Sequence, residues 1–136
     1  MHLPPRTLLD THVLIRWLAD PTRLSREQGQ ILNDTVRRQE SMAISTITLL
    51  EIAMLSGAGL LRIQLSLDQV FEQLDTNPSI HIAPLSIEVA KESSFLGSIL
   101  RDPADRIIVA TARVHGLRLL TSDQRIIESK TVSAVD

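Results

Sequence analysis

Apolar residues along the chain come in short blocks, each closed by a turn or cap signal. Thr7-Leu8-Leu9 ends on Asp10 and predicts a first strand, followed by a helix over 13–19 that Asp20-Pro21 closes. Ser25-Arg26-Glu27-Gln28 has capping-box spacing, and a helix follows over 28–38 with Ile31, Leu32 and Val36 turned inward. Met42-Ala43-Ile44 predicts a second strand. Ser45 or Thr48 then opens a helix carrying Leu49, Leu50, Ile52, Ala53 and Leu55, which stops near Gly57-Ala58-Gly59. Ser66 caps a helix over 67–74, Asn77-Pro78 makes a turn, and Ile80-His81-Ile82 predicts a third strand. Ser86 caps a helix that runs to Leu96 and ends at Gly97. Asp102 at the N-cap and Pro103 at the first helical position open the longest clear helix, with Ile107, Ile108, Val109 and Ala112 along it and Gly116 past its end. Residues 117–121 predict a fourth strand, 123–129 a last helical turn or two, and 131–134 a fifth strand.

Short apolar strands alternating with helices imply an α/β fold, a parallel sheet with helices on both faces. A chain of 136 residues has material for one core, so 1–136 reads as a single domain. Composition then removes whole classes of function. The net charge of −2 rules out wrapping nucleic acid by bulk charge, leaving only a local patch. The absence of cysteine excludes a disulfide scaffold, a thiolate zinc site, an iron–sulfur cluster and a Cys nucleophile. Aromatic residues make up 2%, too few for a base-stacking platform. No apolar run approaches membrane-spanning length and residues 1–6 hold no signal-peptide core, so a cytoplasmic domain is expected.

In open α/β sheets ligands bind beyond the carboxyl ends of strands. Two predicted strands end there on an acid, at Asp10 and at Asp123 after Thr121-Ser122. Two helices expected at the same edge carry acids in their first turns, Glu51 and the pair Asp102 and Asp105. Each acid also has a structural reading. Asp10, Asp102 and Asp123 could cap helices, Glu51 could close a capping box with Thr48, and Asp105 suits a helix dipole. Together, however, clustered carboxylates repel unless a cation compensates them. Oxygen ligands without Cys or a His pair point to Mg²⁺ or Mn²⁺, and such an ion takes phosphate oxygens among its ligands. The chemistry would be phosphoryl transfer or phosphodiester hydrolysis. Walker A, G-x-G-x-x-G, H-E-x-x-H and G-x-S-x-G patterns are all absent. The four histidines are scattered, and only His12 falls near the acids.

Leu8-Leu9-Asp10-Thr11-His12-Val13-Leu14, Glu51-Ile52-Ala53, the run from Asp102 to Ala112 and Leu120-Thr121-Ser122-Asp123 together resemble a PIN domain, more narrowly the VapC-type toxins of bacterial toxin–antitoxin pairs. The four blocks occur in the family's order and span essentially the whole chain. The resemblance implies a three-layer α/β/α sandwich and Mg²⁺- or Mn²⁺-dependent endoribonuclease activity. It also implies a homodimer, with inhibition by a cognate antitoxin that inserts a segment near the active site. Asp10, Glu51, Asp105 and Asp123 fall on the family's acidic quartet, and Thr11 and Ser122 on the small polar positions beside it. The chain departs from relatives at Leu50, Leu100 and Ala104, where Trp, His and an aromatic are common, and this bears on substrate contacts at the rim.

The mechanism expected from these residues is hydrolysis of an RNA phosphodiester by a metal-activated water. Asp10, Asp105 and Asp123 would bind the metal and Glu51 would orient or deprotonate the water. Such a reaction leaves a 3′-hydroxyl and a 5′-phosphate. Asp102 and Arg106 are expected to support the site, Arg106 by orienting a carboxylate. With only two lysines in the chain, RNA must be gripped by arginine, and Arg16, Arg101, Arg106 and Arg125 lie nearest the acids. Leu60, Leu61, Ile63 and Leu65 form an apolar segment that would line a dimer or antitoxin groove. Two rival readings stand beside this one: a Mg²⁺-dependent phosphatase or phosphoacceptor domain with Asp10 as nucleophile, and a non-catalytic α/β interaction module.

Overall fold

The structure, a computed structural model, describes residues 2–136. Five parallel strands make its sheet: β1 (Thr7–Leu9), β2 (Met42–Ser45), β3 (Ile80–Ala83), β4 (Arg118–Leu120) and β5 (Ala134–Val135), in the order β3-β2-β1-β4-β5. Seven α-helices join them: α1 (Thr11–Ala19), α2 (Arg26–Arg37), α3 (Thr46–Gly57), α4 (Leu67–Thr76), α5 (Ile87–Ser94), α6 (Pro103–His115) and α7 (Gln124–Ser129). From β1 the chain builds outward on one side to β2 and β3, then returns to place β4 against the other side of β1. The order therefore reverses at β1 and β4, where a doubly wound sheet opens a crevice beyond its strand ends.

Alternation along the strands divides the interior into two cores. Leu8, Ala43 and Leu119 point to one face and pack with Val89, Ile108, Val109, Ala112 and Ile126 from α5, α6 and α7. Leu9, Met42, Ile44 and Leu120 point to the other and pack with Val13, Leu14, Leu32, Ile52, Val70 and Leu74 from α1 to α4. This is the expected three-layer sandwich. Both central strands are buried on both faces, which is why Leu8-Leu9 and Leu119-Leu120 are unbroken apolar pairs.

The caps are where local chemistry and fold agree best. Ser25 with Gln28 and Ser66 with Gln69 form complete capping boxes, Ser86 caps α5, and Asp102 with Pro103 starts α6. Gly116 ends α6 at φ +64°, a conformation that a side chain would strain. Ser45, not Thr48, caps α3, so Glu51 lies beyond the first turn and closes no capping box. Helix α1 begins at Thr11, two residues early, because Asp10 caps it directly from the end of β1. Helix α5 ends at Ser94, short of Leu96, and β5 lies at Ala134–Val135, starting three residues later than expected.

Val36 and Leu100 depart from expectation, and the apolar segment after α3 divides. Val36 is exposed, because α2 turns Leu32 and Thr35 inward on that side. Leu61, Ile63 and Leu65 are partly buried against the α1–α4 core while still lining surface grooves, and Leu60 is exposed with Leu50 and Met54 of α3. Leu100, expected at a substrate rim, is buried in the core beside α6. No helix among the described residues is long and apolar enough to cross a membrane.

Gln28 shows how burial changes the worth of a cap. Its Oε1 accepts from the Ser25 amide at 3.3 Å while its Nε2 donates to the Val135 carbonyl at 3.1 Å and to Ser122 Oγ at 3.3 Å. The side chain thus ties α2 to β5 and to the loop after β4, with no solvent to replace it. Gln28→Ala should cost about 2 kcal/mol in urea unfolding, since the buried partners are left unpaired, whereas Gln69→Ala in the exposed box should cost about 0.5 kcal/mol. Equal losses would show that Gln28 acts only as a cap.

Candidate active site

The carboxyl ends of β1 and β4 lie side by side, locked by the Asp10 amide donating to the Leu120 carbonyl at 3.0 Å. This contact brings residues from opposite ends of the chain to one edge. Asp10 is buried and uses both oxygens. Oδ1 accepts from the Thr11 amide at 2.7 Å and Oδ2 accepts from Thr121 Oγ1 at 2.8 Å. The same Thr121 oxygen accepts from the Asp123 amide at 3.1 Å, so one hydroxyl fixes both strand-end acids. Asp10 therefore caps α1 and lies among the strand-end acids at once; the cap does not exclude a role in the site.

Glu51 reaches the site from α3. Its Oε1 accepts from Thr11 Oγ1 at 2.5 Å, and that hydroxyl lies 3.0 Å from Thr48 Oγ1. The helix thus hands Glu51 to α1 through two threonines. Asp105 enters on the first turn of α6, and Asp123 caps α7 by accepting from the Arg125 amide at 2.9 Å. Asp102 caps α6 from an exposed position, accepting from the Ala104 amide at 2.9 Å. Three of the quartet thus sit at helix N-termini, where free amides and the helix dipole offset negative charge.

Charge crowding is visible in the carboxyl groups. Burial pushes the Asp10 carboxyl above its usual range against the bonds from Thr121 and Thr11. Burial also raises Glu51, opposed by its bond from Thr11 and helped by the charges of Asp10 and Asp102. Asp105 is pushed up to about 7, by burial first and then by Asp102, Asp123 and Asp10. Asp123 goes the other way: burial would raise it, but the hydrogen bonds and charge of Arg125 hold it below its ordinary value. The Arg125 guanidinium is 3.1 Å from Asp123 Oδ2 and 3.9 Å from Asp105 Oδ2, with its own side chain 76% exposed.

These residues fit a hard divalent cation in donor chemistry. The donors are all oxygen, three carboxyls are raised by desolvation and mutual charge, and the nearest compensating charge is a loosely held guanidinium. Among the described residues no three acids or histidines already converge on one point. Arg125, expected to grip RNA, instead bridges two of the acids.

The expected supporting residues divide. Thr11 holds Glu51, and Ser122 accepts from Arg16 Nη1 at 3.3 Å and from Gln28 Nε2 at 3.3 Å. Arg106 reaches no carboxylate: its Nε and Nη2 donate to the Leu100 and Arg101 carbonyls, both at 2.6 Å, and so fix the loop that leads into α6. Sequence reasoning missed Thr48, Thr121 and Gln28 as parts of this end. Thr121 had a signal, a hydroxyl two residues before a strand-end acid; the other two had none, because their roles depend on partners far along the chain. His12 is exposed and lines, with Arg16, Arg23, Leu60 and Arg62, a groove of about 290 Å³ beside the acids.

A family model of the PIN domain matches residues 7–130. The chain is 39% identical over 128 residues to Ribonuclease VapC22 of Mycobacterium tuberculosis, with 88% of each covered. Among solved structures it is similar to FitAcB from Neisseria gonorrhoeae, with a TM-score of 0.69 and 24% identity over 96% of each chain. DNA-bound VapBC from Salmonella typhimurium gives a TM-score of 0.69 and 21% identity over 97% of this chain and 98% of the other. These two structural likenesses establish the fold.

The geometry makes two predictions for metal-free protein. With its carboxyl raised to about 7, Asp105 binds a proton in the folded state that it releases in the unfolded chain, so stability should fall as pH rises from about 4 to about 7. Melts in EDTA at pH 5.5 and 8 should show this fall, and Asp105→Asn should raise the pH 8 melting temperature by about 3 °C. A lower melting temperature at both pH values would show that Asp105 stabilises the fold. Arg125→Gln should lower metal-free stability yet tighten Mn²⁺ binding about threefold, read by calorimetry, because the competing guanidinium is gone. Weaker Mn²⁺ binding would instead place Arg125 among the groups that assist the cation.

Proposed function

The chain belongs to the PIN domain family, and from that premise we propose that it is the ribonuclease toxin of a toxin–antitoxin pair, a Mg²⁺- or Mn²⁺-dependent endoribonuclease. The observation that carries this reading is the gathering of Asp10, Glu51, Asp105 and Asp123 from four separate segments at the switch point of the sheet, with three carboxyls raised above their ordinary range.

Asp10, Asp105 and Asp123 are the groups that would hold the metal, with Glu51 beside them. A bound Mg²⁺ or Mn²⁺ supplies Lewis-acid activation of water and stabilises charge that develops on the phosphate oxygens. The protein's own groups do the rest. Asp10 has a fixed orientation, because Thr11 and Thr121 each hold one of its oxygens. Glu51 has one oxygen held by Thr11, and its raised carboxyl suits it to take a proton from the attacking water at Oε2. Arg16, steadied through Ser122, lies on the groove beside the acids together with Arg23 and Arg62, and their guanidinium forks match the flanking phosphates. With water as nucleophile the products are a 3′-hydroxyl and a 5′-phosphate.

The phosphoacceptor alternative is disfavoured by the match to the PIN domain model and by the likeness to a ribonuclease relative. A non-catalytic module gives no reason for the crowded charges. Leu50, Met54 and Leu60 leave an exposed apolar surface on and after α3, which supports protein partners, a cognate antitoxin and a second copy of the chain. The reading places the protein in the cytoplasm, with RNA as substrate.

Purified protein should cleave RNA with Mg²⁺ or Mn²⁺ and lose that activity in EDTA; full activity in metal-free protein would overturn the reading. Asp10→Asn and Glu51→Gln should each lower cleavage by about 10²-fold or more. Mg²⁺ at ten times its Kd should stabilise the wild type by about 1.4 kcal/mol and Asp10→Asn by less. An Asp10→Asn protein with wild-type cleavage and an unchanged metal shift would remove this acid from the site.

A further inference from the structure

The acids occupy one end of the sheet; a groove lined by arginine lies at the other. There an open groove of about 740 Å³ is lined by Arg6, Arg38, Arg113 and Arg118, over a floor that includes Leu117 and Val132. Among the described residues no Asp or Glu lines it. The guanidinium groups arrive from different elements: Arg6 precedes β1, Arg38 is the C-cap of α2, Arg113 lies on the last turn of α6 and Arg118 opens β4.

Internal partners account for only part of this charge. Arg113 donates Nε to Glu92 at 2.7 Å and Nη1 to the Thr131 carbonyl at 2.6 Å, and it also suits the C-terminal end of the α6 dipole. Arg118 donates Nε to Thr7 Oγ1 at 3.1 Å, but its two terminal nitrogens have no partner among the described residues. Arg6 and Arg38 are exposed, and their side chains make no hydrogen bond or ion pair among the described residues. Glu27, Asp34 and Glu40 lie in an adjoining smaller groove and offset charge on the Arg38 and Arg118 flank alone. In a chain of net charge −2, such a concentration of like charge does not serve stability.

We propose that this groove holds the phosphate backbone of RNA, as a second contact for a substrate that extends beyond the point of cleavage. The proposal rests on the ribonuclease reading. Guanidinium forks bind phosphate bidentately, and an open groove with apolar patches admits sugar and base faces beside the phosphates. The 13 residues of α6 separate the two ends by about 20 Å, so one phosphate cannot serve both, and a short oligonucleotide held at the acids leaves the groove free. The groove therefore discriminates by substrate length or fold and leaves the cleavage step untouched.

The test is RNA binding in EDTA, by fluorescence anisotropy, alongside cleavage in Mg²⁺. Arg6→Gln/Arg38→Gln removes two side chains that make no internal bonds, and Arg6→Gln/Arg118→Gln is the second variant. Each should weaken binding of a 30-nucleotide RNA about fivefold to tenfold and reduce the salt slope by about 1.4, the value for two lost single-strand phosphate contacts. Cleavage of a three-nucleotide RNA, too short to span about 20 Å, should be unchanged. Arg26→Gln/Arg37→Gln, outside the groove lining, controls for net charge. Binding equal to wild type, or a loss no larger than the control, would overturn the proposal, as would a parallel fall in trinucleotide cleavage. Tighter binding of poly-glutamate than of RNA, lost in the same variants, would assign the groove to an acidic protein and also overturn it. If wild-type protein cleaves no RNA in Mg²⁺ yet the variants weaken binding in EDTA, the ribonuclease reading fails and the groove stands.

Discussion

Like charge forced together at a half-buried strand end is the constraint around which this molecule is arranged. Asp10, Glu51, Asp105 and Asp123 feel one another's charge without three of them meeting at one point among the described residues, and burial strengthens that repulsion by removing the water that would screen it. Every local feature of the edge acts against this cost. Thr121 and Thr11 donate to Asp10 and Glu51, helix N-termini lie under Asp10, Asp105 and Asp123, and Arg125 leans over the last two. The compensation is incomplete, because Asp105 still sits at about 7. An edge left short of positive charge in this way is consistent with the cation of the proposed mechanism.

The parallel sheet makes that arrangement possible. All strands run one way, so their carboxyl ends share an edge and each following helix presents its N-terminus there. The reversal of strand order at β1 and β4 leaves no crossing connection over the crevice. The same polarity sends the C-terminal end of α6 and the starts of β1 and β4 to the opposite edge, where arginines collect. Two firm cores, one on each face, hold both edges in place.

Much of the fold was legible because its signals are local. Leu8-Leu9 and Leu119-Leu120 are too short and too apolar for anything but buried strands. Ser25, Ser66, Ser86 and Asp102 announce helix starts through bonds to amides two or three residues away. Gly116 marks the end of α6 by its backbone conformation alone. The acids were legible for a related reason: a residue at the end of a strand in a parallel sheet has a known edge, so Asp10 and Asp123 could be placed together before their contacts were known.

What escaped the sequence were contacts whose partners are distant. Nothing near Gln28 says that its amide will meet Val135, and nothing near Thr48 says that its hydroxyl will face Thr11. Arg106 and Arg125 are alike in sequence as neighbours of an acid, yet one binds two backbone carbonyls and the other bridges two carboxylates. Leu100 and Val36 exchanged their expected environments, Val36 through the rotation of α2 on the core and Leu100 because the loop between α5 and α6 folds inward. The amino-acid sequence by itself determined the elements, most of their caps, the layered class and the edge at which the acids lie, since these follow from short-range sterics, hydrogen bonds and hydrophobic alternation. Only the tertiary structure decided which hydroxyl holds which acid and which arginine meets a carboxylate, because a long flexible side chain takes its partner from whatever the packed elements bring within about 3 Å.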